Sequence, residues 1–197
     1  MVFIESKRKK IASIERKYPG SVLIDVTSTS NNRFVQLSPF YPHGGIPVPF
    51  SPGYTSMSVE GIWQGLKVFY NSDIDITCFS NATMKNLKRT VRRYGKPLGH
   101  RKGVSGSELL GYIDARFQIY LPSYLWVLQN KANSLVDEIK TLAKEKNVVL
   151  LDYDTNVDCL NEKKPISHAS LIKFYIEGNY PTMGEYREQD GQLLFDF

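Results

Sequence analysis

The sequence predicts an α+β fold: one helix-rich domain, residues 1–197, built around a small β-sheet. Two segments rich in β-branched and aliphatic residues, 21–28 (SVLIDVTS) and 147–154 (NVVLLDYD), predict strands of that sheet. Elsewhere, apolar residues recur at helical spacing over long stretches. A chain of 197 residues is long enough to bury one sizeable core.

The first quarter of the chain predicts a helix, two strands and a loop. Residues 3–18 carry isoleucines at helical spacing and predict an amphipathic helix that ends at a Pro-Gly pair. The strand 21–28 follows, and RFVQLSPF, residues 33–40, predicts a second short strand. Residues 42–53 are rich in proline and glycine with interleaved aromatics, which predicts a stiff loop.

A polar stripe marks the next predicted helix, residues 59–70, for which Ser58 is the expected N-cap. Glu60, Gln64 and Lys67 have the spacing i, i+4, i+7, so on a helix they share one face. Apolar residues occupy another face at core spacing. An acid, an amide and a base on a helix that also packs in the core predict a helix that lines a pocket.

The second half of the chain predicts mainly helices. A basic helix is expected over 81–95, and the capping-box spacing Ser-x-x-Glu predicts a helix over 105–121. Pro122 is expected to separate it from a helix over 123–146. After the strand 147–154, a short helix is predicted over 167–177, and the polar residues 180–197 predict a loosely held tail.

The composition is that of an ordinary globular protein with a net charge of +5. Basic residues concentrate in 7–10 and 85–102, which indicates either a solvated surface or attraction to an anionic ligand. No apolar run is long enough to cross a bilayer, and the basic N-terminus lacks the apolar region of a signal peptide. Cys78 and Cys159 form neither a disulfide framework nor a metal-ligand motif, so we expect a cytoplasmic protein without a metal site.

Glu60 is the strongest catalytic candidate in the sequence. A carboxylate in the first turn of a helix faces the positive end of the helix dipole, so we expect a lowered pKa and a charged side chain. Such a carboxylate can stabilise a developing cation or attack an anomeric carbon; a surface glutamate that only improves the helix is the alternative. Gly61 and Gly65 indicate either close packing of another element or room for a ligand. Asp152 and Asp154, at the end of a predicted strand, are candidate second carboxylates or turn caps.

Aromatic and basic side chains supply the remaining candidates. The aromatics of the loop and of the following helix predict a cleft that offers a stacking surface for a base and has Glu60 at its floor. Basic residues near two glycines in 92–101 predict a cradle for a phosphate. No motif gives a histidine a serine or cysteine partner. The substrate-binding candidates are Phe40, Tyr41, His43, Trp63, Gln64, Lys67, Arg92, Lys96 and Arg101.

Two motifs, taken together, resemble the NADAR superfamily of YbiA-like N-glycosidases. Its members carry an LSNFYP-like segment followed by a helix with the pattern E-x-x-x-Q-x-x-K. Here residues 37–42 are LSPFYP, and they precede Glu60, Gln64 and Lys67 in the same order and at similar spacing. The resemblance covers about residues 34–155.

Other positions of the resemblance are partial matches or departures. Residues 98–100 (LGH) and 150–152 (LLD) are similar to the family's LGR-like and LVE-like segments. Pro39 stands where the family usually has asparagine, and Gly61 stands where a histidine commonly follows the helix glutamate. Trp126 is a loose counterpart of the family's functional tryptophan, and the C-terminal WG and N-x-LG-x-x-L segments have no clear counterpart.

The resemblance implies a NADAR-like domain that hydrolyses the N-glycosidic bond of a ribose phosphate or an ADP-ribose conjugate, with Glu60 as the catalytic glutamate. It implies a small phosphorylated ribosyl or ADP-ribosyl substrate, no metal or redox cofactor and no membrane partner. Two alternatives stay open. One is a non-catalytic nucleotide or ADP-ribose binding module; the other, less favoured, is a nucleic-acid-associated protein that uses residues 85–102.

Overall fold

A computed structural model of the chain describes residues 1–184, so most of the predicted C-terminal tail lies outside the described residues. The strands, numbered in chain order, are β1 (Val2–Ser6), β2 (Val22–Asp25), β3 (Ile46–Pro47), β4 (Thr55–Ser56), β5 (Lys67–Phe69), β6 (Pro97–Arg101), β7 (Leu109–Leu110) and β8 (Val148–Asp152). The α-helices are α1 (Ile11–Lys17), α2 (Val59–Gly65), α3 (Val91–Tyr94), α4 (Tyr112–Ala115), α5 (Leu121–Asn130), α6 (Asn133–Glu145) and α7 (His168–Glu177). Two 3-10 helices (Arg33–Leu37 and Ile76–Ser80) and one π-helical turn (Arg116–Tyr120) complete the described elements.

The central sheet has the order β1-β8-β2, and both pairings are parallel. Val148 of the middle strand pairs with Val2 on one side and with Val22 on the other. Every residue of β8 is buried, as expected for a parallel strand covered on both faces. The predicted α+β class is thus confirmed, and each of the two predicted strands exists in a shorter form, 21–28 as β2 and 147–154 as β8.

The predicted helix over 3–18 is wrong in its first half. Residues 2–6 (VFIES) form β1, because β-branched and aromatic residues favour a strand and the backbone of this segment pairs in parallel with β8. Glu5 in this strand is buried and accepts ion pairs from Lys9 and Lys17. The helical part of the predicted segment is therefore only α1, which begins at Ile11.

The helix α2 is shorter than the predicted 59–70 and ends at Gly65. Its two glycines serve close packing: a Cβ on Gly65 would lie 2.3 Å from the Phe79 ring, and one on Gly61 would lie 2.8 Å from the Cys78 carbonyl oxygen. Ser58 is the N-cap, and its hydroxyl accepts a hydrogen bond from the Gly61 amide at 3.0 Å. The chain then enters β5, the edge of an antiparallel sheet with the order β5-β6-β7.

Local backbone geometry overrides two further predictions. The expected basic helix over 81–95 exists only as α3, because Met84 and Asn86 have positive φ angles of 59° and 57°, which no right-handed helix accommodates. The strand expected over 33–40 is a 3-10 helix, capped by the Asn32 side chain, which accepts a hydrogen bond from the Phe34 amide.

Pro122 does not separate two helices. One continuous helical segment runs from α4 through the π-helical turn into α5, and the Leu121 amide donates to the Arg116 carbonyl across the wider turn. Pro122 lacks an amide hydrogen and clashes with regular α-helical bonding, and the π-helical turn accommodates it. The predicted helix start near 105 is also wrong, because residues 109–110 form β7 and the helix begins after Gly111.

The main core lies between the central sheet and α5, α6 and α7. The predicted helix over 167–177 is confirmed as α7, which Ser167 caps at its start and Gly178 ends with a left-handed φ of 78°. In residues 1–184, no helix is both long and apolar enough to span a membrane.

A buried ion pair joins α7 to the sheet. The Asp152 carboxylate accepts from the Ser167 hydroxyl at 2.7 Å and from His168 Nδ1 at 3.0 Å. His168 Nε2 lies 2.8 Å from the Val26 carbonyl oxygen, which can only accept, so both ring nitrogens carry protons. Burial lowers the pKa of His168, but the Asp152 charge and these hydrogen bonds outweigh burial and raise its pKa above 6.5.

Replacing His168 with glutamine should lower the free energy of unfolding by about 3–5 kcal/mol near pH 6, because the Asp152 charge loses its buried partner. The raised pKa gives wild-type stability that is complete below pH 6.5 and is lost as pH rises through the folded-state pKa. The difference in the free energy of unfolding between wild type and variant should therefore narrow as pH rises above 6.5 and through the folded-state pKa of His168 in urea unfolding measurements.

His43→Gln is the matched control. Burial lowers the pKa of His43, so wild type gains stability from this group as pH rises through 6.5. The difference in the free energy of unfolding between wild type and His43→Gln should therefore change with pH in the opposite direction to that of His168→Gln. A His168→Gln gap that is constant with pH would contradict the charged state assigned to His168.

Candidate functional site

A cavity of about 460 Å³, called here the central cavity, lies where the parallel strands end. The carboxyl-terminal ends of β2 and β8 form one wall, which is the usual place for ligands in parallel sheets. The helix α2 and the residues after it form the second wall. The third wall is the π-helical turn with the adjoining α4.

Glu60 lies in the wall of the central cavity and is only 7% exposed. Its amide donates to the Pro39 carbonyl at 2.9 Å, so the LSPFYP segment lies directly on the start of α2. Gln64 Nε2 donates to Glu60 Oε1 at 2.8 Å, and Gln64 Oε1 accepts from the Arg89 amide at 3.0 Å. These two bonds fix the orientation of the Gln64 amide, with its donor toward Glu60.

The pKa of Glu60 is raised, which corrects the expected lowering by the helix dipole. Burial raises the pKa, and the hydrogen bond from Gln64 and the charges of Lys88 and Lys67 only partly oppose it. The physical reason is that α2 has seven residues and its first turn faces the interior, so desolvation exceeds the effect of the helix end.

Two ammonium groups share the central cavity with Glu60. Lys67 is half-buried, and burial lowers its pKa despite the Glu60 charge, which raises it. The Lys88 ammonium lies 5.6 Å from the centre of the Phe40 ring. Among residues 1–184, neither lysine has a carboxylate within ion-pair distance, so the cavity holds cationic charge that an anionic ligand can pair with.

Arg89 shapes this wall from behind. Its buried guanidinium donates to the backbone carbonyls of Gln64, Lys67 and Asp73 and to the Ser72 hydroxyl. One arginine thereby ties the end of α2 to the turn after β5. This contact explains how Lys67 lines the cavity although it lies on a strand rather than on the predicted helix.

Aromatic rings cover the space beside Glu60. Trp63 lies 3.7 Å from His100 between ring centroids, and Tyr112 and Tyr120 meet it edge-on at 5.8 and 5.6 Å. His100 is 1% exposed, and burial lowers its pKa to about 3, so it is neutral. Trp63 and both tyrosines line the cavity and offer a surface on which a planar base can stack.

The two aspartates at the end of β8 differ. Besides Ser167 and His168, the Tyr153 amide donates to the Asp152 carboxylate at 2.7 Å. Burial raises the pKa of Asp152, but its His168 and Ser167 partners outweigh burial and lower it. Asp152 is therefore ionised, and it accepts a hydrogen bond from Ser167, the N-cap of α7. Asp154 also lines the cavity, and its carboxylate makes no hydrogen bond or ion pair with residues 1–184.

Regular strand alternation, which places Tyr153 on the side opposite to Asp152 and Asp154, does not extend past Asp152. Because β8 ends there, Tyr153 lines the same cavity as both aspartates instead of facing the opposite side. Its hydroxyl lies 2.8 Å from the Thr29 hydroxyl at the rim.

Several predicted site residues lie outside the central cavity. Tyr41 packs on His43, whose Nε2 lies 2.7 Å from the Gln36 carbonyl oxygen. Arg101 pairs with Asp73 through both carboxylate oxygens at 2.8 Å. Arg92 and Lys96 are exposed and do not line the cavity. The proline-rich loop expected to border it surrounds a separate shallow depression, lined by residues between 47 and 55.

Further cavity residues are not among the site residues predicted from the sequence, namely Lys88, Arg89, Tyr112, Arg116, Tyr120 and His168. The three on the continuous helical segment are spaced by four residues, which is a readable helical signal. Lys88 and Arg89 precede α3 in irregular backbone, where no periodic pattern exists.

The fold and the cavity define an α+β protein with a ligand-sized cavity that contains a buried acid and two ammonium groups with no ion-pair partner in residues 1–184. Residues 6–172 match a family of unknown function, DUF6939, and the chain belongs to that family. Neither the curated proteins nor the solved structures give a match.

The buried Glu60 carboxylate should cost stability. Because its folded-state pKa is raised above 4.5, folding loses free energy as pH rises through that value. Glu60→Gln keeps the shape and an oxygen for Gln64, so it should raise the free energy of unfolding by about 0.5–2 kcal/mol near pH 8. The gain should vanish at pH 4.5 and below in urea unfolding measurements.

Glu145→Gln, at the exposed end of α6, is the matched control and should change stability by less than about 0.5 kcal/mol at either pH. A Glu60→Gln variant that is less stable than wild type near pH 8 would show that Glu60 is not a desolvated acid.

Proposed function

We propose that this protein is an N-glycosidase that hydrolyses the N-glycosidic bond of a ribose phosphate or an ADP-ribose conjugate. The observation that carries the proposal is the composition of the central cavity: a buried carboxylate, two ammonium groups that no described carboxylate pairs with, and a set of aromatic rings share one space. These groups match a ribosyl cation, a phosphate and a base, respectively.

The resemblance to the NADAR superfamily supports the same proposal. Its two motifs meet in the structure, because the Glu60 amide bonds to Pro39 of LSPFYP and the Glu60 side chain bonds to Gln64. The absent histidine at position 61 has a local reason, since any Cβ there would collide with the Cys78 carbonyl. We propose that DUF6939 is a branch of that superfamily and that the protein acts in the cytoplasm.

Glu60 acts on the anomeric carbon in this proposal. As the N-glycosidic bond breaks, the electron pair leaves with the nitrogen and positive charge develops on the ribosyl group. A carboxylate that is poorly solvated gains more from a nearby cation than one in water, because the effective dielectric is low. The anionic form of Glu60 is therefore the active form, and turnover should rise with pH through its raised pKa.

Water completes the reaction. Its oxygen bonds to the anomeric carbon, one proton goes to a base, and the leaving nitrogen takes up a proton. Asp154 is the base that the geometry favours, because its carboxylate faces the cavity without a partner among residues 1–184. Asp152 is the poorer candidate, since Ser167, His168 and the Tyr153 amide already occupy its oxygens.

Glu60→Gln should reduce kcat about 100- to 1000-fold on a substrate that wild type hydrolyses, because it removes the charge that stabilises the transition state. Binding should change far less, since shape and hydrogen bonding are kept. Release of the free base from a panel of ribosyl phosphate and ADP-ribosyl conjugates is the measurement. Equal turnover by variant and wild type would refute the mechanism.

If wild type hydrolyses no member of the panel but binds ADP-ribose tightly, the protein is a nucleotide-binding module rather than an enzyme. Salt-sensitive binding of short DNA without any nucleotide binding would instead favour a nucleic-acid-associated protein.

Lys67→Met and Lys88→Met should each weaken binding of ADP-ribose about tenfold, because each removes a cation that faces the cavity and keeps the apolar stem. Isothermal titration calorimetry gives the Kd. The matched control is the Arg92→Gln, Lys96→Gln pair, which removes the same kind of charge outside the cavity. Equal losses in both sets would place the phosphate outside the central cavity.

A further inference from the structure

Tyr120 is the last residue of the π-helical turn and lines the central cavity with Tyr112 and Arg116. In an α-helix of 3.6 residues per turn, each step of four residues rotates a side chain by about 40° around the axis. The wider π-helical turn reduces this rotation, so the three side chains stay on one face. Such turns occur often at functional sites.

The Tyr120 hydroxyl makes no hydrogen bond to any of residues 1–184. The neighbouring tyrosines differ: the Tyr124 hydroxyl donates to the Leu37 carbonyl at 2.6 Å, and the Tyr180 hydroxyl donates to the Leu121 carbonyl at 2.9 Å. A half-buried tyrosine usually finds a partner for its hydroxyl. Tyr120 therefore keeps a donor available on the cavity side.

The ring of Tyr120 is held in place by its neighbours. Trp63 packs against it edge-on with 5.6 Å between centroids, and Tyr124 stacks beside it at 6.4 Å with 16° between planes. Arg116, one turn earlier, is 2% exposed and donates to the carbonyls of Cys159, Asn161 and Lys164, which fixes the segment opposite the helix. The position of the hydroxyl is set before a ligand enters.

The phenol remains a donor at physiological pH. Burial raises the pKa of Tyr120 well above 10, and the negative charges of Glu60 and Asp152 raise it further. Both carboxylates line the same cavity, so the hydroxyl lies within the field of the two acids. An oxygen-bearing ligand between them receives one neutral donor from the helix wall.

We propose that Tyr120 is a specificity-determining residue that donates a hydrogen bond to the 2′-hydroxyl oxygen of the bound ribosyl group. The assignment rests on the proposed function, in which Glu60 faces the anomeric carbon. The 2′-carbon is bonded to the anomeric carbon, so its hydroxyl is the sugar hydroxyl nearest to Glu60. A site built to pair a substrate hydroxyl discriminates against the analogue that lacks it, since its own polar group is then left without a partner.

The test crosses two proteins with two ligands in isothermal titration calorimetry. Wild type and Tyr120→Phe are each titrated with ribose 5-phosphate and with 2-deoxyribose 5-phosphate. Wild type should bind the ribose compound about tenfold more tightly. Tyr120→Phe should bring the ratio close to one by losing affinity for ribose 5-phosphate alone.

Tyr70→Phe is the matched control, because it removes a hydroxyl from an exposed tyrosine outside the cavity and should keep the wild-type ratio. A wild type without preference for ribose would overturn the inference without any variant, and so would a Tyr120→Phe protein that keeps the preference. If wild type binds neither sugar phosphate, the proposed function fails together with this inference. The two outcomes named before leave binding of the sugar phosphates intact and overturn only the role of Tyr120.

Discussion

The shape of the central cavity depends on the buried hydrogen bonds and the ion pair of the Asp152 carboxylate. Asp152 ends the central strand of the parallel sheet, caps α7 through Ser167, and holds His168, whose other nitrogen reaches the Val26 carbonyl beyond β2. Breaking a buried ion pair of this kind lowers the free energy of unfolding by about 3–5 kcal/mol, because the remaining charge is left buried without a partner or water to compensate it. One side chain thus connects two strand ends and a helix, and the wall containing Thr27, Asp152 and Asp154 keeps its shape.

Two acids in one cavity have their pKa values shifted in opposite directions. Asp152 is kept ionised by hydrogen-bond donors, whereas Glu60 is desolvated and has a single side-chain donor, Gln64. Opposite shifts of this kind separate roles: a satisfied carboxylate maintains structure, and an unsatisfied one is available for chemistry. The stability that Glu60 costs is supplied by the surrounding core, as is common for functional sites.

The sequence predicted the parts of this protein that depend on local spacing. The i, i+4 relation of Glu60 and Gln64 survives as a hydrogen bond, and residues 148–152 of the predicted strand 147–154 form the buried central strand. Lys67 lines the cavity as predicted, but it does so from β5 and not from the helix, which ends at Gly65. At that glycine the helix packs closely on the Phe79 ring, a contact that no local pattern contains.

The cationic wall could not be predicted, because burial and pairing of basic residues are tertiary properties. Arg92, Lys96 and Arg101 lie in a conspicuous basic cluster, yet the first two are exposed and the third is neutralised by Asp73. Lys88 lies in the same cluster, but it faces the cavity, and the difference arises from Arg89. Its guanidinium binds four groups between positions 64 and 73, so it pulls the chain inward at that point.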